Sequence, residues 1–381
     1  MAESKLLVEG ASPAPLDREF TVVGKPMNRL DGLEKVTGRA KYAGDIKKPG
    51  MLYGMILRSP YPRARIKRID TSRAEALPGV HAVLSKDNTK GWRTYWYRIP
   101  QIAFPECLTF EGQEVAAVAA VDPVTAQEAL ARIDVEYEAL PPLLDAEEGL
   151  QRPVSPLVAD EEYPGSETHG RKPYIIRRGD IAKGFAEADV IVEDTYSTQV
   201  QFHGTIQTRA CVADWDGQTL TLWDASQGIW NSKEVLAKSL EIDPDRVRVI
   251  VKYLGGGFGS KAFCQRIANY ASKLSMVTGR PVRMERSRRE EFLAHARRYN
   301  CRTTLKMGAK KDGTLTAISQ RAVVNAGATS RYYPIQIICH TSNLYACPNV
   351  ELEQVGVYTN IQPTGPTRSP LNMTAIYFLG S

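Results

Sequence analysis

Residues 246–261 read Arg246-Val247-Arg248-Val249-Ile250-Val251-Lys252-Tyr253-Leu254-Gly255-Gly256-Gly257-Phe258-Gly259-Ser260-Lys261. Val247, Val249, Val251 and Tyr253 alternate, the pattern of a strand with one buried face. Behind the glycines, Phe263, Ile267, Tyr270, Ala271, Leu274 and Val277 recur at helical spacing until Gly279, which predicts a helix stopped by glycine. A glycine-rich turn is therefore expected to join a strand to a helix N-terminus. Such a backbone, free of Cβ atoms, approaches an anion closely, and its exposed N–H groups favour phosphate. The run is not G-x-x-x-x-G-K-[ST], which excludes a Walker A loop. Gly255 and Gly257 fit a G-x-G-x-x-G pattern, but position 260 is serine. On spacing alone, a ligand-binding turn and a tight connection without a ligand both remain open.

Outward from this stretch, Asn231 or Ser232 is expected to cap a short helix through Leu240. Cys211–Trp215 and Thr219–Trp223 flank Asp216-Gly217, a hairpin signal. Thr303–Met307 and Thr314–Val324 flank Lys311-Asp312-Gly313 in the same way. Nearer the N-terminus, Glu114 to Val121 is an apolar run that fits a buried strand. Asp122-Pro123 supplies an N-cap and a proline at the first helical position for a helix over 124–133. Ile133 to Tyr137 then alternates as a strand. The expected organisation is a lead-in over 1–24, a mixed α/β unit over 25–150, a Pro/Gly/Glu-rich linker over 151–175 and a second domain over 176–381.

The chain has 381 residues, of which 43% are hydrophobic and 24% charged. That is ordinary globular usage and enough chain for a large core. No apolar run reaches the 18 or so residues of a membrane span, and the start lacks a secretory apolar core. Six scattered cysteines, with no CxxC, argue against a disulfide framework and against zinc or iron–sulfur ligation within the chain. The net charge is +6. The densest basic stretch, Arg280 to Arg302, is interrupted by Glu285, Glu290 and Glu291, so a solvated or internally paired face is expected, not a nucleic-acid surface. The five histidines are too dispersed in sequence to point to a metal site. Trp92, Tyr95 and Trp96 either line a substrate approach or form an ordinary aromatic cluster.

The order Ser226-Gln227, helix, Arg246-Val247-Arg248-Val249, Gly-Gly-Gly-Phe-Gly-Ser-Lys resembles the molybdenum-binding subunit of the xanthine dehydrogenase/aldehyde oxidase family. Val23-Gly24-Lys25-Pro26, Asp31 to Tyr42, Arg58-Ser59-Pro60, Ala76 to Val80, Gly112 to Ala116, Glu285 to Arg298, Asn325-Ala326-Gly327 and Tyr358-Thr359-Asn360 continue the resemblance, in the family's order, over about 25–381. The first 150 residues look most like the 4-hydroxybenzoyl-CoA reductase and nicotinate dehydrogenase branch.

The resemblance implies an α+β chain: an α/β hammerhead domain followed by a mixed α/β first molybdenum-cofactor-binding domain. It implies molybdopterin cytosine dinucleotide with molybdenum, and oxidation of an electron-poor carbon. Electrons would leave through [2Fe–2S] and FAD centres on partner subunits of a cytoplasmic complex. Gln227 matches a glutamine whose amide donates to a molybdenum oxo group. Gly256, Gly257, Phe258 and Gly259 match the cofactor loop, and Arg368 an arginine of a second cofactor loop. Arg298 aligns with an arginine that polarises substrate; beside Arg297 its register is ambiguous, and a salt-bridged structural arginine is the alternative. Two departures stand out. Thr367-Arg368-Ser369-Pro370-Leu371 replaces a small-residue loop, and Ala262 stands where purine-oxidising members carry glutamate. The second cofactor domain, with its catalytic glutamate, is expected on another polypeptide. The rival expectation is a scaffold or assembly subunit, or a truncated product, that keeps the fold without a complete site.

Overall fold

The computed structural model describes residues 20–96, 99–153, 170, 172–328, 337–369, 374, 377 and 378. Most of the expected lead-in and linker therefore lies outside the described residues. The chain divides at Lys41/Tyr42. The first unit holds one short helix, α1 (Gly32–Val36). In the second, the strands and helices run β1 (Leu52–Arg58), β2 (Ala64–Asp70), α2 (Ser72–Glu75), β3 (Val80–Ser85), β4 (Arg93–Trp96), β5 (Ile99–Ile102), β6 (Cys107–Leu108), β7 (Glu114–Ala120), α3 (Pro123–Arg132), β8 (Asp134–Ala139) and α4 (Ala146–Gln151). They continue with β9 (Tyr174–Arg178), α5 (Ile181–Ala186), β10 (Val190–Thr198), β11 (Ala210–Trp215), β12 (Leu220–Asp224), α6 (Ile229–Leu240), β13 (Val247–Ile250), α7 (Arg266–Thr278) and β14 (Val282–Glu285). Last come α8 (Arg288–Leu293), β15 (Cys301–Ala309), β16 (Leu315–Gly327), α9 (Ile337–Leu344) and β17 (Asn349–Tyr358).

The central sheet has the order β13-β12-β11-β14-β1-β7-β3. β1 runs parallel to β14, Leu52 opposite Val282, and antiparallel to β7. One sheet thus takes strands from residues 52–120 and from 210–285. Helices α6 and α7 lie in one core with it, where Leu236, Ile267 and Tyr270 meet Leu52, Leu222 and Met284. A second core places α3 and β2 with β7, through Ile66, Val115, Val118, Ala126 and Ala129. Every residue of β7 is buried, which is why its sequence is continuously apolar and does not alternate. Asp122 caps α3 as expected, accepting from the Thr125 N–H at 2.9 Å. A five-stranded sheet, β10-β15-β16-β17-β9, packs its own core of Leu305, Ile318, Val324 and Leu352.

Both hairpins form, β11/β12 and β15/β16. The first closes through residues 216–219, with the Asp216 carboxylate accepting from the Gln218 and Thr219 N–H groups. The strand expected to reach Tyr253 ends at Ile250, because β12, its only partner among the described residues, pairs through Trp223; Tyr253 is buried and turns against Tyr42 at 5.7 Å. Helix α6 starts at Ile229, ahead of both expected caps, with Gly228 as N-cap. Asn231 instead accepts from the Cys264 N–H at 2.9 Å, and the Ser232 hydroxyl meets that of Ser226 at 3.2 Å. None of the six cysteines is in a disulfide. Trp92 belongs to an aromatic cluster with Phe104 and Tyr270, its indole N–H donating to the Ser239 carbonyl.

Candidate cofactor site

The glycine turn is fixed from below by residues far away in sequence. Arg209, 1% exposed, forms an ion pair with Glu291 of α8 and donates to the Ser260 carbonyl at 2.9 Å and to Gln265. Lys261 is fully buried, and its ammonium donates to the Gln207 carbonyl at 2.8 Å. Burial pushes the Lys261 pKa down to about 8. Charges buried this deeply persist only when each finds such partners. The Gln207 side chain accepts from the Gly255 N–H at 2.7 Å, and the Gln207 N–H donates to the Gly255 carbonyl at 3.1 Å.

These contacts correct one expectation. The turn is not the N-terminus of a helix; α7 begins only at Arg266. The Ser260 carbonyl is taken by Arg209, and the Lys261 carbonyl by the Gln227 N–H at 2.7 Å. Carbonyls engaged this way are drawn off from a helical ladder, and residues 260–265 stay non-helical.

Gln227 sits just before α6, exposed, with its side-chain oxygen accepting from the Gly259 N–H at 3.1 Å. Its amide nitrogen has no partner among the described residues. A Cβ on Gly257 would lie 2.2 Å from that Gln227 oxygen, and one on Gly259 2.6 Å from the Pro366 carbonyl. Glycine is needed here for close packing of the turn against its own supports. Phe258 adopts φ 52° and is 48% exposed, a left-handed conformation costly for a bulky residue and found where the surroundings impose it. The N–H groups of Gly256, Gly257 and Phe258 make no hydrogen bond among the described residues.

A second loop meets the turn. The Arg368 N–H donates to the Phe258 carbonyl at 2.8 Å, and His203 Nε2 lies 2.7 Å from the Pro366 carbonyl. Arg368 is exposed, and its guanidinium is unpaired among the described residues. Arg298 is buried beneath this loop and donates to the Arg368 and Ser369 carbonyls. Among the described residues neither Arg298 nor Arg297 pairs with a carboxylate, and both donate to backbone carbonyls. The structure thus brings Gln227, Gly256–Gly259 and Arg368 together, with Arg298 behind them.

Sequence reasoning missed Gln207, Arg209, Glu291 and His203. Arg209 and Glu291 are 82 positions apart, and no motif links them. His203 and His295, dispersed in sequence, meet with their rings tilted at 58° and centroids 5.6 Å apart, but no group of three potential metal ligands exists among the described residues.

The donor set is a free amide NH2, three consecutive free backbone N–H groups and a free guanidinium. It offers donors and no carboxylate, which fits an oxygen-rich, anionic group such as a pyrophosphate or a metal-oxo centre. Molybdopterin bearing molybdenum is such a group, and these residues fit it.

Comparison with known proteins agrees. The family model for the molybdopterin cofactor-binding domain matches residues 165–381, and that for the aldehyde oxidase and xanthine dehydrogenase a/b hammerhead domain matches 37–141. The nicotinate dehydrogenase large molybdopterin subunit of Eubacterium barkeri is 33% identical, over 93% of this chain and 83% of the relative. The probable hypoxanthine oxidase of Escherichia coli (strain K12) is 33% identical, over 92% of this chain and 41% of that protein. Among solved structures, the Cu,Mo-CO dehydrogenase superposes with a TM-score of 0.84 at 29% identity, covering 93% of this chain and 47% of that one. The quinoline 2-oxidoreductase of Pseudomonas putida 86 gives 0.82 at 27%, covering 94% and 48%. The chain belongs to the xanthine dehydrogenase/aldehyde oxidase family of molybdopterin-binding proteins. It spans about half the length of several of the relatives it matches, and no helix among the described residues is long and apolar enough to cross a membrane.

Proposed function

We propose that this chain is part of the molybdopterin-binding subunit of a molybdenum hydroxylase-type oxidoreductase acting on an aromatic, N-heterocyclic or aldehyde carbon. The observation that carries the reading is the convergence of Gln227, the 256–259 turn and Arg368 on one place with their donors unspent. Molybdopterin cytosine dinucleotide is the proposed cofactor. When bound, it supplies Lewis-acid activation and two-electron redox chemistry. This chain's residues hold and orient it. The Gln227 amide donates to an acceptor oxygen near the metal, and Arg368 pairs with an anionic group. The Phe258 ring keeps water from the metal's side of the turn. Arg298 positions the Arg368 loop through its carbonyls.

The proposed complex contains [2Fe–2S] and FAD subunits, in the cytoplasm. Ile206, Trp230 and Phe258 are 93%, 78% and 48% exposed around the turn. Large apolar side chains clustered at a site of this kind support a face that another chain covers.

Metal and pterin analysis of the natively purified complex tests the reading. Molybdenum and pterin near one per chain are expected; their absence overturns it. Gln227→Ala is expected to keep the metal and lose turnover worth roughly 2–4 kcal/mol of transition-state stabilisation; unchanged turnover removes Gln227 from the site. A second reading, a scaffold or assembly role, draws on Ser369, which holds φ 53° without being glycine, in a loop bulkier than the family pattern. It predicts a stable complex that carries no molybdenum.

A further inference from the structure

The direction in which the glycine turn points its donors is set from beneath. Its peptide bonds are trans, so each N–H points opposite to the carbonyl that precedes it. The Gly255 carbonyl accepts from the Gln207 N–H at 3.1 Å, which turns the Gly256 N–H away from Gln207. The Gly257 carbonyl accepts from the Ser260 N–H at 2.8 Å, which aims the Phe258 N–H in the same manner. Gln207 is itself held. Its carbonyl takes the Lys261 ammonium at 2.8 Å and the Thr205 hydroxyl at 2.9 Å. Its side-chain oxygen takes the Gly255 N–H at 2.7 Å and the Lys261 ammonium at 3.3 Å. A Cβ on Gly255 would lie 2.5 Å from the Gln207 Cβ, so the two residues are in direct contact.

Lys261 spends its hydrogen bonds on these neutral oxygens and makes no ion pair among the described residues. Of the carboxylates whose charge reaches it, Glu291 is taken by Arg209, and burial pushes Asp224 up to about 7. Arg288 adds positive charge nearby. An uncompensated ammonium is therefore buried one side chain away from the first residue of the turn, in surroundings that screen it less than water does.

We propose that Gln207 and Lys261 are positioning residues for the anionic cofactor: Gln207 aims the Gly256 N–H, and the Lys261 charge, acting through Gln207 from behind the turn, favours negative charge in front of it. The proposal rests on the reading of the site given above and adds which residues tune the bound molybdenum. Charges and dipoles fixed in advance around a place where negative charge gathers stabilise it without touching it. A positive charge so placed makes the metal easier to reduce.

The test uses the natively purified complex and a redox titration of its molybdenum followed by EPR spectroscopy. Gln207→Glu keeps the side-chain shape and the acceptor for the Gly255 N–H, and it gives the buried Lys261 ammonium a counter-ion. It also replaces a buried side-chain NH2 that has no hydrogen-bond partner among the described residues. The variant is expected to melt no lower than wild type, yet to lower the ratio of reduced to oxidised molybdenum at a fixed potential by roughly three-fold or more. Lys261→Gln removes the same charge at its source and is expected to move the ratio in the same direction. A purely structural role moves the ratio only together with the melting temperature. The proposal is overturned if the ratio is unmoved in either variant, or if it falls only where the melting temperature falls as well. Loss of molybdenum from Gln207→Glu at the wild-type melting temperature supports it; loss with a lowered melting temperature overturns it. A wild-type complex without molybdenum overturns the reading of the site and this proposal with it, whereas wild-type molybdenum content with an unmoved ratio overturns this proposal alone.

Discussion

At Gly257 one hydrogen atom decides the site. A Cβ there would lie 2.2 Å from the Gln227 side-chain oxygen, so Gly257→Ala must push Gln227 away from the Gly259 N–H. A cost of about 1–3 kcal/mol is expected from overpacking. Because the clash is with a side chain, Gln227→Ala should relieve it. The double variant Gln227→Ala/Gly257→Ala should recover at least half of that loss in urea unfolding, a coupling of about 1 kcal/mol. Strict additivity would mean that Gln227 does not pack on the turn. Gly259→Ala allows no such rescue, since its clash is with the Pro366 carbonyl and its φ is 93°. The residues with a motif were legible in sequence, because glycine, phenylalanine and glutamine stand close together along the chain. Their supports were not. Arg209 looks like any other arginine until the fold places it against Glu291, and the eight arginines of 280–302 give no sign that Arg286, Arg297 and Arg298 are buried while Arg288 and Arg289 are exposed.

Helix α8 is only six residues long, yet it carries Glu290 and Glu291, which hold Arg58 and Arg209. A helix this short depends on its cap. Ser287 provides a complete capping box: its hydroxyl accepts from the Glu290 N–H at 3.2 Å, and the Glu290 carboxylate accepts from the Ser287 N–H at 2.9 Å. Ser287→Ala is expected to cost about 1 kcal/mol in chemical denaturation, with Ser287→Asp largely restoring it; no change would mean that the Arg58 and Arg209 pairs hold α8 unaided. Caps of this kind explain which elements sequence reading placed well. Asp122-Pro123 placed the start of α3 within one residue, because both act within one turn. Asn231 and Ser232 misled because their side chains bond across the fold, to Cys264 and Ser226, contacts that no local pattern encodes.

Across the whole molecule, two buried histidines tie stability to pH. Burial lowers His203 to about 4 and holds His295 well below the usual imidazole range, with Arg209 nearby opposing its protonation. Other positive groups face the pair, including Arg298 beside His203 and Arg286 and Lys261 beside His295; the Pro366 carbonyl and Glu291 favour the charged His203. The folded state therefore binds fewer protons than the unfolded chain below the ordinary histidine pKa of about 6.5. Their contribution is complete above that value and is lost as pH falls toward 4. The melting temperature is expected to drop between pH 7 and 4.5, and the slope to flatten in His295→Gln; an equal slope in wild type and variant would rule this out.

The sheet that joins β1 to β14 makes a second expectation at this scale. Residues 37–141 expressed alone lack β14 along one edge of β1 and should unfold at lower denaturant than the same strands in the full chain, where fluorescence and circular dichroism should give coincident transitions. A stable isolated fragment would contradict this.

The same pairing sets a timetable for biosynthesis. Leu52 cannot meet Val282 until 230 further residues have been made, roughly 10–50 s at ordinary translation rates. During that interval β7 protects one side of β1, and the other side presents a free strand edge of apolar sequence, a template for wrong pairing. A nascent chain of this design depends on protection at the ribosome until β14 emerges.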